Sequence, residues 1–368
     1  MAAMFRASCG PLAAALALAA LPVSERQARL SSALAPVRLV AEGEALAITS
    51  TSYDASITCR LRAAAQGEVA MPFERLANLL RHFPAEKEIT IGADDRAAVI
   101  TAGRSRFKLP VVALSELRQP FALGVETGRA ELDAKVARDL FTRPAFAAAS
   151  DVSRAYLSGI LLHSNGKDLI AAATEGLRLC RVTASVPTSL SSDRSLIIPN
   201  RMVRAIGRLL GRTTGSVTLR RSDRLFAIEG KDFLVVSSRI DATYPDYERV
   251  IPPAGPNLVT TDRARLTEAL ARFVAVADPQ ASLHIVRLRW GAGGLHLYAD
   301  GSDDFCAADV VGEAETAVQT NHFVELINAL RGDHVRISVG GPGSMIVVTD
   351  PDDPSFFAGQ MPIRPRSS

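Results

Sequence analysis

The feature that most constrains this chain is a helical segment that occurs three times at long, regular intervals. The segments Pro72–Pro84, Pro199–Gly211 and Thr320–Gly332 each begin with a residue typical of a helix start and end at Pro or Gly. Between those ends, apolar residues recur at helical spacing. The segments start 127 and 121 residues apart, so the 368 residues accommodate three units of this length. The repeat therefore predicts three similar domains in one chain.

A second helical pattern precedes the first in every unit, over Gly10–Leu21, Ala130–Phe141 and Asp262–Ala277. The stretches between the helices are short alternating runs bounded by turn residues, which is the pattern of antiparallel strands. We therefore predict an α+β fold in which each domain carries two helices on one side of its antiparallel sheets. The predicted domains span residues 1–127, 128–256 and 257–368.

The sequence lacks the common patterns of catalytic and metal sites. Its six His residues form no HExxH pair, no GxSxG elbow occurs, and no phosphate-binding glycine motif follows a predicted strand. The four Cys residues lie far apart with no CxxC, which excludes a zinc ribbon and a disulfide-rich scaffold. We expect a non-catalytic protein with no cofactor and no metal, located in the reducing cytoplasm. The alternative is an enzyme whose site carries no recognisable motif.

The N-terminal apolar run allows two interpretations. Arg6 followed by Pro11–Val23 resembles a secretory signal peptide, which would make the chain a secreted or periplasmic binding protein. The same run forms the first helix of the fold if Leu12, Leu16 and Leu18 face inward. It is too short to span a membrane as a helix, so we expect no membrane partner.

Charge is distributed unevenly along the chain. The formal net charge is +2 for residues 1–127, +6 for residues 128–256 and −5 for residues 257–368. Chance scatter on a solvated surface would explain this asymmetry. A head-to-tail assembly, in which the acidic end of one copy meets a basic end of another, would also explain it.

Three arginines of the middle third share one helix face. Arg201, Arg204 and Arg208 are spaced as one stripe of an α-helix, and their like charges do not favour the helix itself. A solvated basic face is one interpretation, and a surface that meets phosphates is the other. Because the basic residues are not interleaved with clustered aromatics, the pattern favours sequence-independent contact with a duplex backbone over base stacking on single strands.

Five short segments resemble one protein family. Tyr244–Pro252 (YPDYERVIP), Ala173–Leu179 (ATEGLRL), Asp151–Gly159 (DVSRAYLSG), Gly103–Leu109 (GRSRFKL) and Met361–Arg364 (MPIR) are similar to segments of the beta subunit of bacterial DNA polymerase III, the sliding clamp. The segments keep the order and the approximate spacing of that family over the whole chain.

The resemblance implies a head-to-tail homodimeric ring of six similar domains around double-stranded DNA. Such a protein performs no chemistry and tethers DNA polymerase III for processive replication. Leu177 and Glu175 replace the family's His and Asp, and Tyr53-Asp54 stands where the family has Asp-Leu-Glu, so a divergent second clamp stays open beside the replicative one. The residues expected at DNA are Arg26, Arg154, Tyr156, Arg201, Arg204 and Arg208.

The resemblance also implies a pocket that takes short peptides from the catalytic subunit of DNA polymerase III, the clamp loader, other polymerases and repair proteins. The residues at the matching positions are Leu157, Thr174, Gly176, Leu177, Arg178, Leu179, Pro245, Arg249, Val250, Met345, Met361, Pro362 and Ile363. For Arg178 and Arg249, structural ion pairs are the alternative role.

The family closes its ring by pairing the first domain of one subunit with the third domain of the other. We expect apolar and ionic contacts at this interface, with arginines on one side and aspartates on the other. The residues at the matching positions are Arg104, Arg106, Phe107, Leu109, Ala275, Val276, Asp300, Asp303 and Asp304.

Overall fold

The computed structural model describes residues 3–21, 36–253, 255–281, 283–291, 293–341 and 343–363. Within these ranges the chain forms six α-helices and 26 β-strands. The helices are α1 Cys9–Ala19, α2 Phe73–Leu80, α3 Ala134–Thr142, α4 Asn200–Leu210, α5 Arg263–Val276 and α6 Thr320–Asn328. The strands are β1 Ala3–Ser8, β2 Pro36–Glu42, β3 Ala45–Thr51, β4 Ala55–Arg62, β5 Ala64–Gln66, β6 Glu68–Pro72, β7 Glu88–Ala93, β8 Ala98–Ala102, β9 Ser105–Leu109, β10 Gly128–Asp133, β11 Gly159–Ser164, β12 Leu169–Thr174, β13 Arg178–Ala184, β14 Ile197–Pro199, β15 Ser216–Arg221, β16 Leu225–Gly230, β17 Phe233–Ser238, β18 Asn257–Asp262, β19 Ile285–Gly291, β20 Gly294–Ala299, β21 Ser302–Cys306, β22 Ala308–Val311, β23 Ala314–Gln319, β24 His334–Val339, β25 Ile346–Asp350 and β26 Asp353–Gln360.

The chain divides into two compact units, and neither coincides with one sequence repeat. The first unit comprises the described residues of Met1–Arg138, Val186–Leu190 and Arg201–Arg239. The second comprises those of Asp139–Ser185, Ser191–Asn200 and Ile240–Ser368. The predicted domain boundaries therefore stay a prediction from the sequence repeat.

In the first unit, a continuous sheet joins the first repeat to the second. Its eight strands run in the order β10-β15-β16-β17-β4-β3-β2-β6, and a five-stranded sheet has the order β5-β1-β7-β8-β9. At the junction β17 pairs antiparallel with β4, where Val235 lies opposite Ile57 and both side chains are buried. Burial of such β-branched pairs on one sheet face fixes the register of the two strands.

The second unit repeats this arrangement between the second and third repeats. Its nine-stranded sheet has the order β14-β11-β12-β13-β26-β25-β24-β18-β22, and its four-stranded sheet has the order β21-β20-β19-β23. Here β13 pairs antiparallel with β26, with buried Cys180 opposite buried Ala358. Every strand pair in the described residues is antiparallel, as the alternating sequence runs predict.

The two smaller sheets each end in a strand whose counterparts make the internal junctions. Strand β9 follows β8 as β17 follows β16 and as β26 follows β25. Strand β21 follows β20 as β4 follows β3 and as β13 follows β12. By repeat position, β9 therefore corresponds to β17 and β26, and β21 corresponds to β4 and β13.

The N-terminal apolar run is part of the fold. Strand β1 pairs with β7, and α1 follows it directly, with Leu12 and Leu16 fully buried and Leu18 half-buried. Helix α1 packs against α2, as α5 packs against α6. This confirms the first helix of the fold and gives no support to the secretory alternative, although α1 ends at Ala19 rather than Leu21. No helix in the described ranges combines the length and apolarity needed to cross a membrane.

The helix predicted over Ala130–Phe141 was wrong in its first turn. Residues Gly128–Asp133 form strand β10, and helix α3 begins only at Ala134. The strand alternates buried and exposed residues, with Ala130 and Leu132 inward. Burial therefore alternates every two residues in this stretch, as in a strand, and the helical spacing of apolar residues starts after it. The other predicted helices, including Pro199–Gly211 and Asp262–Ala277, are confirmed to within a few residues.

Candidate functional sites

Helix α4 separates an apolar face from an arginine face. Arg204 and Arg208 are exposed on the side opposite the apolar one. Arg201, on the same stripe, is half-buried and forms an ion pair with the carboxylate of Asp54. Burial would raise the pKa of Asp54, but the hydrogen bond and charge of Arg201 outweigh it and hold that pKa below its ordinary value. The residues of α4 that are buried are Met202, Val203, Ala205, Ile206, Leu209 and Leu210.

The other predicted DNA residues lie apart from α4 in sequence. Arg154 and Tyr156 occur in the short 3-10 helix Val152–Leu157 of the second unit, and both are exposed. Arg154 donates a hydrogen bond of 2.7 Å to the carbonyl oxygen of Glu175, which anchors its side chain at the β12–β13 turn. Arg26 lies outside the described residues.

A buried apolar cluster includes part of the predicted peptide pocket. It contains Leu157, Leu179 and Met345 of the predicted wall, together with residues that the sequence analysis did not assign to it. The aromatic members Tyr244 and Tyr247 belong to the YPDY motif, so this motif contained the signal for them. The remaining members of the cluster are Ala149, Leu161, Ala172, Ile197 and Phe357.

Tyr244 and Tyr247 hold the walls of this cluster by hydrogen bonds. The N–H of Thr174 donates to the Tyr244 hydroxyl at 2.8 Å, and burial raises the Tyr244 pKa, which keeps the hydroxyl protonated. The Tyr247 hydroxyl lies 2.9 Å from Nε2 of buried His163, whose pKa is lowered by burial. Both tyrosines therefore satisfy their polar atoms while their rings fill the cluster.

The turn between β12 and β13 places one leucine on the surface. The Thr174 hydroxyl donates to the carbonyl of Arg178 at 2.6 Å and accepts the N–H of Gly176 at 3.1 Å. Gly176 has φ +101°, a conformation that a side chain would strain. The turn leaves Leu177 57% exposed, beside the buried cluster.

Three large apolar side chains of the predicted peptide pocket are exposed. Leu177, Val250 and Met361 are exposed by 57%, 58% and 36%. The N–H of Met361 donates to the carbonyl of Leu177 at 2.7 Å, and the N–H of Ile363 donates to the carbonyl of Ala317 at 2.8 Å. The first bond brings the C-terminal segment to the β12–β13 turn, and the second joins it to β23. We call Leu177, Val250 and Met361 the apolar rim.

The two predicted pocket arginines have structural partners. Arg178 is buried, pairs with Glu175 at 3.0 Å and also contacts Glu325 of α6. Because neighbouring strand residues point to opposite faces, its guanidinium lies on the other side of β13 from Leu179 and the apolar cluster. Arg249 is mostly exposed and pairs at 3.0 Å with half-buried Asp246, whereas the preceding Pro245 is exposed.

The predicted interface residues of the first unit lie on an end strand. Strand β9 is almost wholly exposed, including Arg106 and Phe107, and Arg104 precedes it in an exposed turn. The Phe107 ring packs edge-on against Phe83 with ring centroids 6.0 Å apart, and Leu109 is half-buried. An end strand of this kind presents main-chain donors and acceptors to another chain.

The predicted interface residues of the second unit lie on β21 and at the end of α5. Asp303 is exposed on β21, and Asp300 precedes the strand with φ +49°. Asp304 instead accepts a 2.7 Å hydrogen bond from Arg272 of α5, so its charge is already shared within the unit. At the end of α5, Ala275 and Val276 are exposed.

Comparison with known proteins gives consistent matches over almost the whole chain. Residues 4–119, 131–246 and 248–364 match the models of the N-terminal, central and C-terminal domains of the DNA polymerase III beta subunit. The chain is 29% identical over 347 residues to the beta sliding clamp of Pseudomonas aeruginosa, covering 90% of this chain and 92% of that one. It is 27% identical over 346 residues to the beta sliding clamp of Pseudomonas putida, with the same coverage of 90% and 92%. The crystal structure of the P. aeruginosa sliding clamp bound to griselimycin superposes with a TM-score of 0.90 at 27% identity, covering 99% of this chain and 100% of that chain.

Proposed function

The chain belongs to the DNA polymerase III beta subunit family, the sliding clamps, and on that premise we propose which of its residues hold DNA, close a ring and receive partners. Members of this family are non-catalytic processivity subunits of DNA polymerase III. Enclosure rather than tight binding explains processivity, because a closed ring slides while it stays linked to its polymerase. We place this action in the cytoplasm, on bacterial DNA.

Exposed arginines supply the contact with double-stranded DNA. Arg204 and Arg208 present two guanidinium groups from one helix face, and Arg154 and Tyr156 add exposed contacts in the second unit. Guanidinium groups bind phosphate oxygens whatever the base sequence, and a few such contacts are weak enough at physiological salt to permit sliding. Arg201 contributes less in this proposal, because Asp54 compensates its charge.

The ring closes when β9 of one copy pairs with β21 of a second copy. Within the chain, their counterparts pair as β17 with β4 and as β26 with β13. The contact is heterologous, so two chains close a ring if both interfaces form at the same angle. Each chain contributes three domains, which we place at residues 1–127, 128–256 and 257–368. In this arrangement Phe107 and Leu109 meet Ala275 and Val276, and Arg104 and Arg106 face Asp300 and Asp303.

The apolar rim receives short peptides from partner proteins. Leu177, Val250 and Met361 expose large apolar surface beside the buried tyrosine cluster, an arrangement suited to a peptide with large apolar side chains. We propose the catalytic subunit of DNA polymerase III, the clamp loader, other polymerases and repair proteins as the sources of such peptides. Thr174, Gly176 and the main chain of Arg178 shape the turn that carries Leu177.

The repeat position of β9 and β21 carries the ring proposal, and a topological experiment tests it. The protein would be loaded by a bacterial clamp loader onto nicked circular DNA and separated from free protein by gel filtration. Cutting the circle with a restriction enzyme should release the protein, because a ring slides off a free end. Blocking both ends with bound protein should restore retention. Equal retention on open linear and circular DNA would contradict enclosure.

A further inference from the structure

An aromatic side chain is presented at the tip of the β3–β4 hairpin. Tyr53 is 68% exposed, and the guanidinium carbon of Arg118 lies 4.0 Å from the centre of its ring. A cation over one face of an aromatic ring fixes the orientation of that ring. Since Arg118 covers one face, the exposed area of Tyr53 includes the opposite one.

The turn that carries Tyr53 is held by hydrogen bonds within the turn and by one from strand β17. The N–H of Ser52 donates to the carbonyl of Ala55 at 2.8 Å, and the N–H of Ala55 donates to the Ser52 hydroxyl at 3.1 Å. The N–H of Ser238 on β17 donates to the carbonyl of Asp54 at 2.8 Å. The aromatic ring is therefore presented by an ordered turn, which lowers the entropic cost of binding to it.

This turn is linked to the arginine face of α4. The carboxylate next to Tyr53, that of Asp54, pairs with Arg201, the first residue of the stripe that continues to Arg204 and Arg208. The ion pair compensates the one negative charge of the turn. An incoming phosphate near Tyr53 therefore meets the guanidinium of Arg118 without an uncompensated carboxylate at position 54.

We propose that Tyr53 and Arg118 form a contact for an unpaired nucleotide of DNA, with the base stacked on the free face of Tyr53 and its phosphate bound by Arg118. An exposed aromatic ring with an adjacent guanidinium is the combination that binds single strands without sequence preference. Bases inside a duplex are already stacked on each other, so the contact favours a strand that leaves the duplex. The inference rests on the proposed function and gives the clamp a preference for the junction between duplex and single strand.

The test compares two DNA probes on the full-length protein by fluorescence anisotropy at low salt. One probe is a blunt duplex, and the other is the same duplex with a 5′ oligo(dT) overhang. The wild-type protein should bind the overhang probe at least about fivefold more tightly. Tyr53→Ala and Arg118→Ala should remove that preference, whereas Tyr53→Phe should keep it, because Phe retains the ring.

A direct readout and a separate control keep the outcomes distinct. 2-Aminopurine placed next to the junction in the overhang should be quenched by wild type and Tyr53→Phe and not by Tyr53→Ala. Arg208→Glu should weaken the binding of both probes and leave the ratio of the two affinities unchanged, so this variant reports on the duplex contact alone. Equal binding of the two probes by wild type, or equal weakening of both by Tyr53→Ala, would overturn the nucleotide contact. If Arg208→Glu also left both probes unaffected, the proposed duplex contact of α4 would fail independently.

Discussion

The main-chain N–H of Met361 donates a 2.7 Å hydrogen bond to the carbonyl of Leu177, which joins the C-terminal segment to the turn between β12 and β13. Both side chains remain exposed, although each lies beside a cluster of buried aromatic and aliphatic residues. Exposed apolar residues that adjoin each other are a mark of interaction sites. The bond therefore builds part of the apolar rim from two segments that are far apart in sequence.

The first prediction concerns peptide binding at this rim. Leu177→Lys should weaken the binding of a polymerase-derived peptide with a Gln and large apolar residues by more than about tenfold. The reason is that the charge of the lysine would be desolvated on binding. Deletion of Met361–Ser368 should have a similar effect, since it removes Met361 and its bond to Leu177. Isothermal titration calorimetry measures both affinities, with Leu177→Met as the matched control. Wild-type affinity in the two variants would place the peptide site elsewhere.

The second prediction concerns salt dependence of DNA binding. Reversing Arg204 and Arg208 to Glu should lower the slope of log affinity against log salt by about 2, since each lost phosphate contact removes about 0.9. The fold should be unaffected, because both side chains are exposed. Arg201→Glu should behave differently and lower the melting temperature, because it places a carboxylate beside Asp54. A slope unchanged by the double reversal would refute the α4 contact.

The helices that recur were predictable from sequence because an amphipathic period is a local property. Pro199–Gly211 and Thr320–Gly332 correspond closely to α4 and α6. The four residues Ala130–Asp133 (AELD) are too few to distinguish a strand period from a helix period, and their pairing with β15 makes the stretch a strand. Local pattern therefore identified the elements, and tertiary pairing decided the ambiguous boundary.

The junctions between repeats and the partners of charged side chains were not predictable in this way. Strand β17 pairs with β4, which lies far away in sequence, and no local pattern encodes that choice. The same holds for Arg201 with Asp54 and for Arg178 with Glu325. Positional matching to the family selected Arg178 as a pocket residue, but strand alternation turned its guanidinium to the opposite face of β13 from Leu179.

The third prediction concerns the ring interface. The ion pairs that we propose between Arg104 or Arg106 and Asp300 or Asp303 are exposed, so each is worth less than about 1 kcal/mol and is screened by salt. The small side chains of Ala275 and Val276 would bury little apolar area, so we expect the ion pairs to contribute a larger share of the dimer's stability. Dimer dissociation, measured by sedimentation velocity, should therefore increase with salt.

A variant pair separates the interface from general surface charge. Val276→Asp should shift the protein towards monomer, because it places a carboxylate at the end of α5 where apolar contact is proposed. Val311→Asp, at a residue that is also exposed but lies on β22 outside the proposed interface, should leave the dimer intact. A protein that is monomeric under all conditions would contradict the ring, and a dimer equally tight at all salt concentrations would contradict its ionic part.

The fourth prediction concerns the ion pair of buried Arg143 with half-buried Asp353, which joins the second repeat to the third. Arg143 is buried, donates a 2.6 Å hydrogen bond to Asp353, and lies over the ring of Phe356. Asp353→Asn should lower the free energy of unfolding at pH 7 by about 3 kcal/mol, because it leaves a buried guanidinium uncompensated. Asp352→Asn, at the exposed neighbour, should change it by less than about 0.5 kcal/mol.

The pH dependence of the stability lost in Asp353→Asn shows whether the charge of Asp353 causes the loss. Burial would raise the pKa of Asp353, but its hydrogen bonds to Ser355 and Arg143 and the Arg143 charge hold that pKa below its ordinary value. The stabilisation is therefore complete above the unfolded pKa of about 3.9 and is lost as pH falls through the lower folded value. Urea unfolding of wild type and Asp353→Asn at successive pH values measures the difference between their free energies of unfolding. This difference should be constant above pH 5 and should decrease in stronger acid. A difference that stayed constant down to pH 2 would assign the loss to packing rather than to the ion pair.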